Sequence, residues 1–142
     1  MNDCLLSSDR MDWETPQAFF DKLNNEFHFV RDAASSERNH KCPIYWTKQD
    51  DALSKDWKDD SIFCNPPYGR TLKKWVKKAY EEHLKWGSTI VLLIPARTDT
   101  SYFHDYILGK AEIRFIRGRL KFTLNGKECD SAPFPSMVVI YK

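Results

Sequence analysis

The chain has 142 residues, enough for one compact domain with its own core and too few for a catalytic domain joined to a full recognition domain. Its formal net charge is +2, so any contact with nucleic acid has to come from a local basic face, and the overall charge neither supports nor excludes DNA. Cys4, Cys42, Cys64 and Cys129 are scattered, with no C-x-x-C pair and no His at ligand spacing, which argues against zinc and redox motifs and for reduced thiols. With no leader-like start and no apolar stretch of membrane-spanning length, the expectation is a soluble cytoplasmic protein without a membrane partner.

Taken in chain order, Met1 to Arg10 is polar and aperiodic, and a mobile lead is expected there. Trp13-Glu14-Thr15-Pro16 reads as the start of a helix, with Thr15 as N-cap, Pro16 at the first helical position, and Ala18, Phe19, Leu23 and Phe27 as the apolar stripe. A short strand is expected over residues 27–31, running into Asp32-Ala33-Ala34-Ser35-Ser36, where small side chains let a ligand approach the backbone closely. From Glu37 to Lys58 no period is visible, Ile44-Tyr45-Trp46 is the one apolar cluster, and a full strand–helix–strand excursion hardly fits.

Ile62 to Cys64 then reads as a strand that delivers Asn65-Pro66-Pro67-Tyr68. Two consecutive prolines fix φ and remove two backbone donors, which leaves carbonyls free to accept from a ligand. Asn65 adds a side-chain acceptor and Tyr68 a ring face. An amino group bonded to the Asn65 and Pro66 oxygens, on a planar system lying against Tyr68, fits this turn, and the exocyclic amine of a base is such a group.

After the turn, Leu72, Trp75, Val76, Ala79, Tyr80 and Leu84 recur at helical spacing, with Lys73, Lys74, Lys77 and Lys78 between them as a solvated face. Thr89 to Pro95 is almost continuously apolar, as a strand covered on both faces requires. A short helix over 100–108, a strand over 112–117, a hairpin turn at Asn125-Gly126 and a last strand over 137–141 complete the pattern. The expected class is α/β: a mostly parallel sheet with a C-terminal antiparallel hairpin and helices on both faces, in which ligands bind at the carboxyl ends of the strands.

Trp13-Glu14-Thr15-Pro16, Asp32-Ala33-Ala34-Ser35, Asp51-Ala52-Leu53, Asn65-Pro66-Pro67-Tyr68, Pro95-Ala96-Arg97-Thr98 and Gly118-Arg119-Leu120-Lys121-Phe122, in this order, resemble the phage-type DNA N6-adenine methyltransferase family over nearly the whole chain. The resemblance implies a single Rossmann-like methyltransferase domain over 1–142 that uses S-adenosylmethionine to methylate the N6 amine of adenine in DNA. It implies host-cell cytoplasm as the compartment for a phage-encoded chain. By correspondence, Trp13, Thr15, Pro16, Asp32, Ala33, Ala34 and Asn65 are cofactor-binding candidates, and either Asp50 or Asp51 holds the place of the acidic residue that contacts the cofactor's adenine. Asn65, Pro66, Pro67 and Tyr68 are the catalytic candidates.

Acceptors at Asn65 and Pro66 favour the pyramidal nitrogen of the transition state, so neither a metal nor a covalent enzyme intermediate is required, and His28, His40, His83 and His104 are expected at the surface or in packing. The target nitrogen lies inside a duplex, so the base is expected to flip out and stack on Tyr68. Arg70, Arg97, Arg119 and Lys121 are the DNA-contact candidates, because their loops share the active edge of this fold. The glycine-rich loop usual in larger relatives is absent, and Asp32 is followed by Ala33-Ala34-Ser35, which implies a looser hold on the cofactor; Glu37 is the nominee for the ribose. Without a separate recognition domain, a very short target site or loose sequence choice is expected. RNA adenine, protein glutamine, and a silent nucleic-acid-binding module of the same fold are the alternative readings.

Overall fold

A computed structural model describes residues 13–142, and the polar lead Met1–Arg10 falls outside the described residues. The strands are β1 (Arg31–Asp32), β2 (Ile44–Tyr45), β3 (Ser61–Cys64), β4 (Thr89–Pro95), β5 (Glu112–Phe115), β6 (Thr123–Leu124), β7 (Lys127–Glu128) and β8 (Ser136–Tyr141). Six of them form one sheet in the order β2-β1-β3-β4-β8-β5, and β6 pairs with β7 as a separate hairpin. Strands β2, β1, β3 and β4 are parallel, whereas β8 is inserted antiparallel between β4 and β5. This is the α/β class expected, with β4 at the centre: Ile90 to Ile94 are all fully buried.

Register explains how both faces are covered. Phe63 pairs with Val91, and Val91 with Ile140, so these point to one side, where Phe20 of helix α1 (Gln17–Phe27) meets Phe63 edge-on at 5.1 Å. Ile62, Ile90 and Tyr141 line up on the other side, where Tyr141 meets Tyr80 of helix α2 (Leu72–Trp86), and Tyr80 in turn meets Tyr106 of helix α3 (Ser101–Tyr106). Burial of these apolar side chains, at roughly 1.5–3 kcal/mol each, is the main force holding helices to sheet.

Several expectations are corrected. Pro16 is the N-cap of α1 and not its first residue: its ψ of 133° is extended, and no side chain caps the helix, because the Thr15 hydroxyl serves Asn65. Ala18 is exposed and Phe20 takes its place in the buried stripe with Leu23. Phe27 ends α1 and His28 is left-handed (φ 50°), its N–H on Asn24 O, so the strand starts four residues later than expected. Ile44-Tyr45 forms the outer parallel strand, and two 3-10 turns, 48–50 and 52–54, lead back to β3. Leu84 is 64 % exposed; the inner face of α2 ends in the buried carboxylate of Glu82, which accepts from the backbone N–H of fully buried Trp57 at 2.7 Å. Cys42 and Cys64 are free, and burial pushes their thiols up, Cys42 to about 12. Cys129 is disulfide-bonded, against the expectation of reduced thiols throughout. Among the described residues no helix is long and apolar enough to cross a membrane.

Candidate functional site

Parallel strands that end side by side leave their following loops at one edge, and a cleft of about 680 Å³ opens there. One wall is the small-residue run Ala33, Ala34, Ser35 and Ser36 after β1. Asn65 and Pro67 after β3 also line it, with Trp75 and Thr71 of the segment that follows, as do Trp13 and Glu14 before α1 and Thr47, Lys48, Asp51 and Ala52 after β2. Of the sequence candidates, Trp13, Ala33, Ala34, Asp51, Asn65 and Pro67 line this cleft.

Asn65 is held by both ends of its amide. Its Nδ2 donates to Trp13 O at 2.5 Å and to Thr15 Oγ1 at 3.0 Å, and its Oδ1 accepts from the Tyr68 hydroxyl at 2.7 Å. A carbonyl oxygen can only accept, so Trp13 O settles which end of the amide is nitrogen. Both N–H groups and one lone pair of Oδ1 are thereby used. One acceptor position of Oδ1 remains without a partner among the described residues, on a side chain that lines the cleft.

Tyr68 differs from expectation. Its ring is 4 % exposed, with Phe122 and Phe134 against it at 6.2 and 5.6 Å, both near perpendicular, and Trp13 packs edge-on to the same two phenylalanines at 5.5 Å. The face expected to be open is thus covered by an aromatic cluster. The hydroxyl points inward, with Leu93 O at 3.0 Å as a second acceptor for its single proton, and burial holds its pKa well above the usual phenol value. Pro66 is buried beside it.

Asp32 turns away from the cleft surface. It is 3 % exposed and its two oxygens accept from the backbone N–H groups of Ala34 (3.3 Å) and Lys41 (2.8 Å), closing the loop that carries the small-residue wall. Desolvation pushes its carboxyl up to about 6, with those two N–H bonds and the nearby Lys41 and His40 pulling the other way. The two candidates at 50 and 51 separate cleanly. Asp50 caps a 3-10 turn, accepting from Thr47 N (2.7 Å) and Thr47 Oγ1 (3.2 Å), whereas Asp51 is left-handed (φ 55°) and lines the cleft. Glu37 sits outside the cleft lining and accepts from Tyr45 Oη at 3.0 Å.

Residues 3–142 match the DNA N-6-adenine-methyltransferase (Dam) family. The chain belongs to that family. It is 31 % identical over 118 residues to the DNA N-6-adenine-methyltransferase of Escherichia phage T1, covering 82 % of this chain and 49 % of that protein. It is 29 % identical over 140 residues to the DNA N-6-adenine-methyltransferase of Haemophilus phage HP1, covering 95 % of this chain and 80 % of that one. The chain therefore spans about half the length of the T1 relative.

In this Dam-family chain the basic candidates gather at the strand-end edge. Arg70 and Arg97 follow the carboxyl ends of the adjacent parallel strands β3 and β4, and both are exposed. Arg119 and Lys121 are exposed on the segment leading to the β6–β7 hairpin, which is tied to that edge because Phe122 is buried against Trp13 and Tyr68. Arg119 Nη1 donates to Ala132 O at 3.3 Å. Among the described residues no group of three or more His, Cys, Asp or Glu is placed to hold a metal ion. Sequence reading gave no role to Glu14, Thr47, Lys48 or Trp75, all of which line the cleft. Trp75 was legible only as part of a helical stripe, and Glu14 had no local signal because its partners lie more than a hundred residues away.

Proposed function

We propose that this chain transfers a methyl group from S-adenosylmethionine to the N6 amine of adenine in DNA. The observation that carries the reading is the Asn65 amide, fixed at three of its four hydrogen-bonding positions, with the fourth, an acceptor, left without a partner among the described residues on a side chain that lines the cleft. A group that accepts one N–H from a fixed direction suits an amine donor, and an amine that gains positive charge on methylation is bound more strongly in the transition state than before it. Family membership supplies the methyl-transfer class and the adenine and DNA of its name.

The residues of the cleft suit the cofactor. Ala33, Ala34 and Ser35 leave room for close backbone approach, Trp75 offers an aromatic wall, and the Asp51 carboxylate is a rim acceptor for hydroxyl or amino groups. The volume accommodates a nucleoside with an amino-acid tail. When bound there, S-adenosylmethionine supplies an electrophilic sulfonium methyl. Asn65, with the carbonyl of Pro66, orients the amine and accepts from it as charge develops; neither residue takes the proton, which the methylated nitrogen releases to solvent. A flipped base reaches the Tyr68 ring only by displacing an edge of Phe122 or Phe134, so the aromatic cluster closes the base site until DNA arrives. Arg70, Arg97, Arg119 and Lys121 carry the phosphate contacts on this reading.

The test is methyl transfer in single turnover with isotope-labelled cofactor and an adenine-containing duplex, the product being read as N6-methyladenine. Asn65→Ala is expected to lower the rate ~10²–10³-fold while cofactor affinity is retained, and Asn65→Asp, which keeps an acceptor, to retain more activity than the alanine variant. Label found in RNA or peptide and not in DNA would overturn the substrate assignment.

A further inference from the structure

Trp13, Glu14 and Thr15 form a three-residue segment with two sets of partners far apart in sequence. On one side, Trp13 O and Thr15 Oγ1 take both hydrogens of the Asn65 amide, fifty residues or more downstream. On the other, Glu14 is fastened to the β6–β7 hairpin by its backbone, which bridges to Thr123 (3.2 and 2.9 Å), and by its carboxylate. That carboxylate accepts from Thr123 Oγ1 (3.0 Å), Asn125 N (3.1 Å) and Gly126 N (3.2 Å). Thr15 is 2 % exposed and is not part of the cleft lining.

A hydroxyl so placed does not meet a ligand in the cleft; what it meets is the donor end of the amide. We propose that Thr15 is a positioning residue for methyl transfer: with Trp13 O it holds the Asn65 amide so that oxygen, and not nitrogen, faces the substrate amine. Glu14 holds Thr15 in that place by anchoring the segment to the hairpin. The inference rests on Asn65 as the acceptor of the amine, and it departs from the sequence expectation that Thr15 touches the cofactor. Its physical basis is the count of bonds. Without the Thr15 acceptor, one Nδ2 hydrogen loses its partner, and only Trp13 O and the Tyr68 hydroxyl are left to hold the amide against rotation about its terminal torsion, where Oδ1 and Nδ2 would exchange places and an N–H would oppose an N–H.

Thr15→Val keeps shape and removes the acceptor, and Thr15→Ser keeps the acceptor. At saturating DNA and cofactor, Thr15→Val is expected to lower the single-turnover rate roughly tenfold, with Thr15→Ser within about twofold of wild type and cofactor affinity unchanged in both. The deciding measurement is a double-mutant cycle with Asn65→Ala: a residue acting through Asn65 costs nothing further once that amide is gone. Equal losses from Thr15→Val in both backgrounds would overturn the proposal, as would loss of cofactor affinity with an intact rate at saturation. If Thr15→Val folds poorly, Thr15→Ser at the wild-type rate supports the proposal, and Thr15→Ser as slow as Asn65→Ala overturns it. An Asn65→Ala variant as fast as wild type would instead remove the acceptor reading beneath it, so the two failures are told apart.

Discussion

The two walls of the cleft are built from opposite materials. The Asn65 wall follows directly from the central sheet: Asn65 and Tyr68 are neutral, and their polar atoms are fixed by Trp13 O, Thr15 Oγ1 and Leu93 O. The Asp32–Asp51 wall hangs on two-residue strands, and a buried carboxylate and a capped turn shape it through backbone N–H groups. Uncharged groups held by the core keep their geometry whatever the pH. A carboxylate holding a loop makes that loop depend on its charge. The difference separates a wall whose substitutions should alter chemistry or packing from one whose substitutions should alter stability against pH and the hold on a ligand.

The largest effect expected is on the rigid wall. Tyr68→Ala empties a ring site that is 4 % exposed and should cost about 3–5 kcal/mol of stability in urea unfolding, beyond any effect on methyl transfer. Tyr68→Phe keeps the ring, loses the hydroxyl bonds, and should cost about 0.5–1.5 kcal/mol while most activity survives. Equal stability of the alanine variant and wild type would mean that the aromatic cluster is not packed as described.

Next comes Asp32 on the other wall. Its folded-state pKa of about 6 lies above the ordinary 3.8, so between those values the folded chain holds a proton that the unfolded chain has released. The contribution to stability is therefore present below the ordinary value and lost as pH rises through about 6, a loss on the order of 3 kcal/mol. Urea unfolding across this range should show that decline in wild type and not in Asp32→Asn. The asparagine offers one acceptor where two N–H groups need one each, so a constant loss should accompany the flattened profile. An identical pH dependence in the two proteins would sink the account.

The smallest effect distinguishes neighbours. Asp51→Ala should weaken cofactor binding about tenfold, as removal of a charged hydrogen-bond partner does, whereas Asp50→Ala should lower the urea midpoint slightly and leave calorimetric affinity within about twofold. The reverse pattern would exchange the roles that the cleft lining and the Thr47 cap assign to them.

Much of this was legible in the sequence because it is encoded locally. Continuous apolar character marked β4, helical spacing marked α2, and Asn125-Gly126, both at positive φ, marked the hairpin, because only such residues take that turn without strain. The proline pair likewise announced a rigid turn after a strand. What the tertiary structure alone decided is where polar atoms spend their bonds. Thr15 carries the signature of a helix cap, yet its hydroxyl is better used 50 positions away on Asn65, one of whose two N–H groups would otherwise lack an acceptor. Asp32 at a strand end suggested ligand contact, and folding turned it inward to close a loop. Glu14 found its partners 109 to 112 residues along the chain, and Tyr68 its cover in Phe122 and Phe134. Periodicity and turn chemistry act over a few residues and can be read in order, whereas satisfying a buried donor or covering a ring depends on which distant segments the sheet brings to one edge.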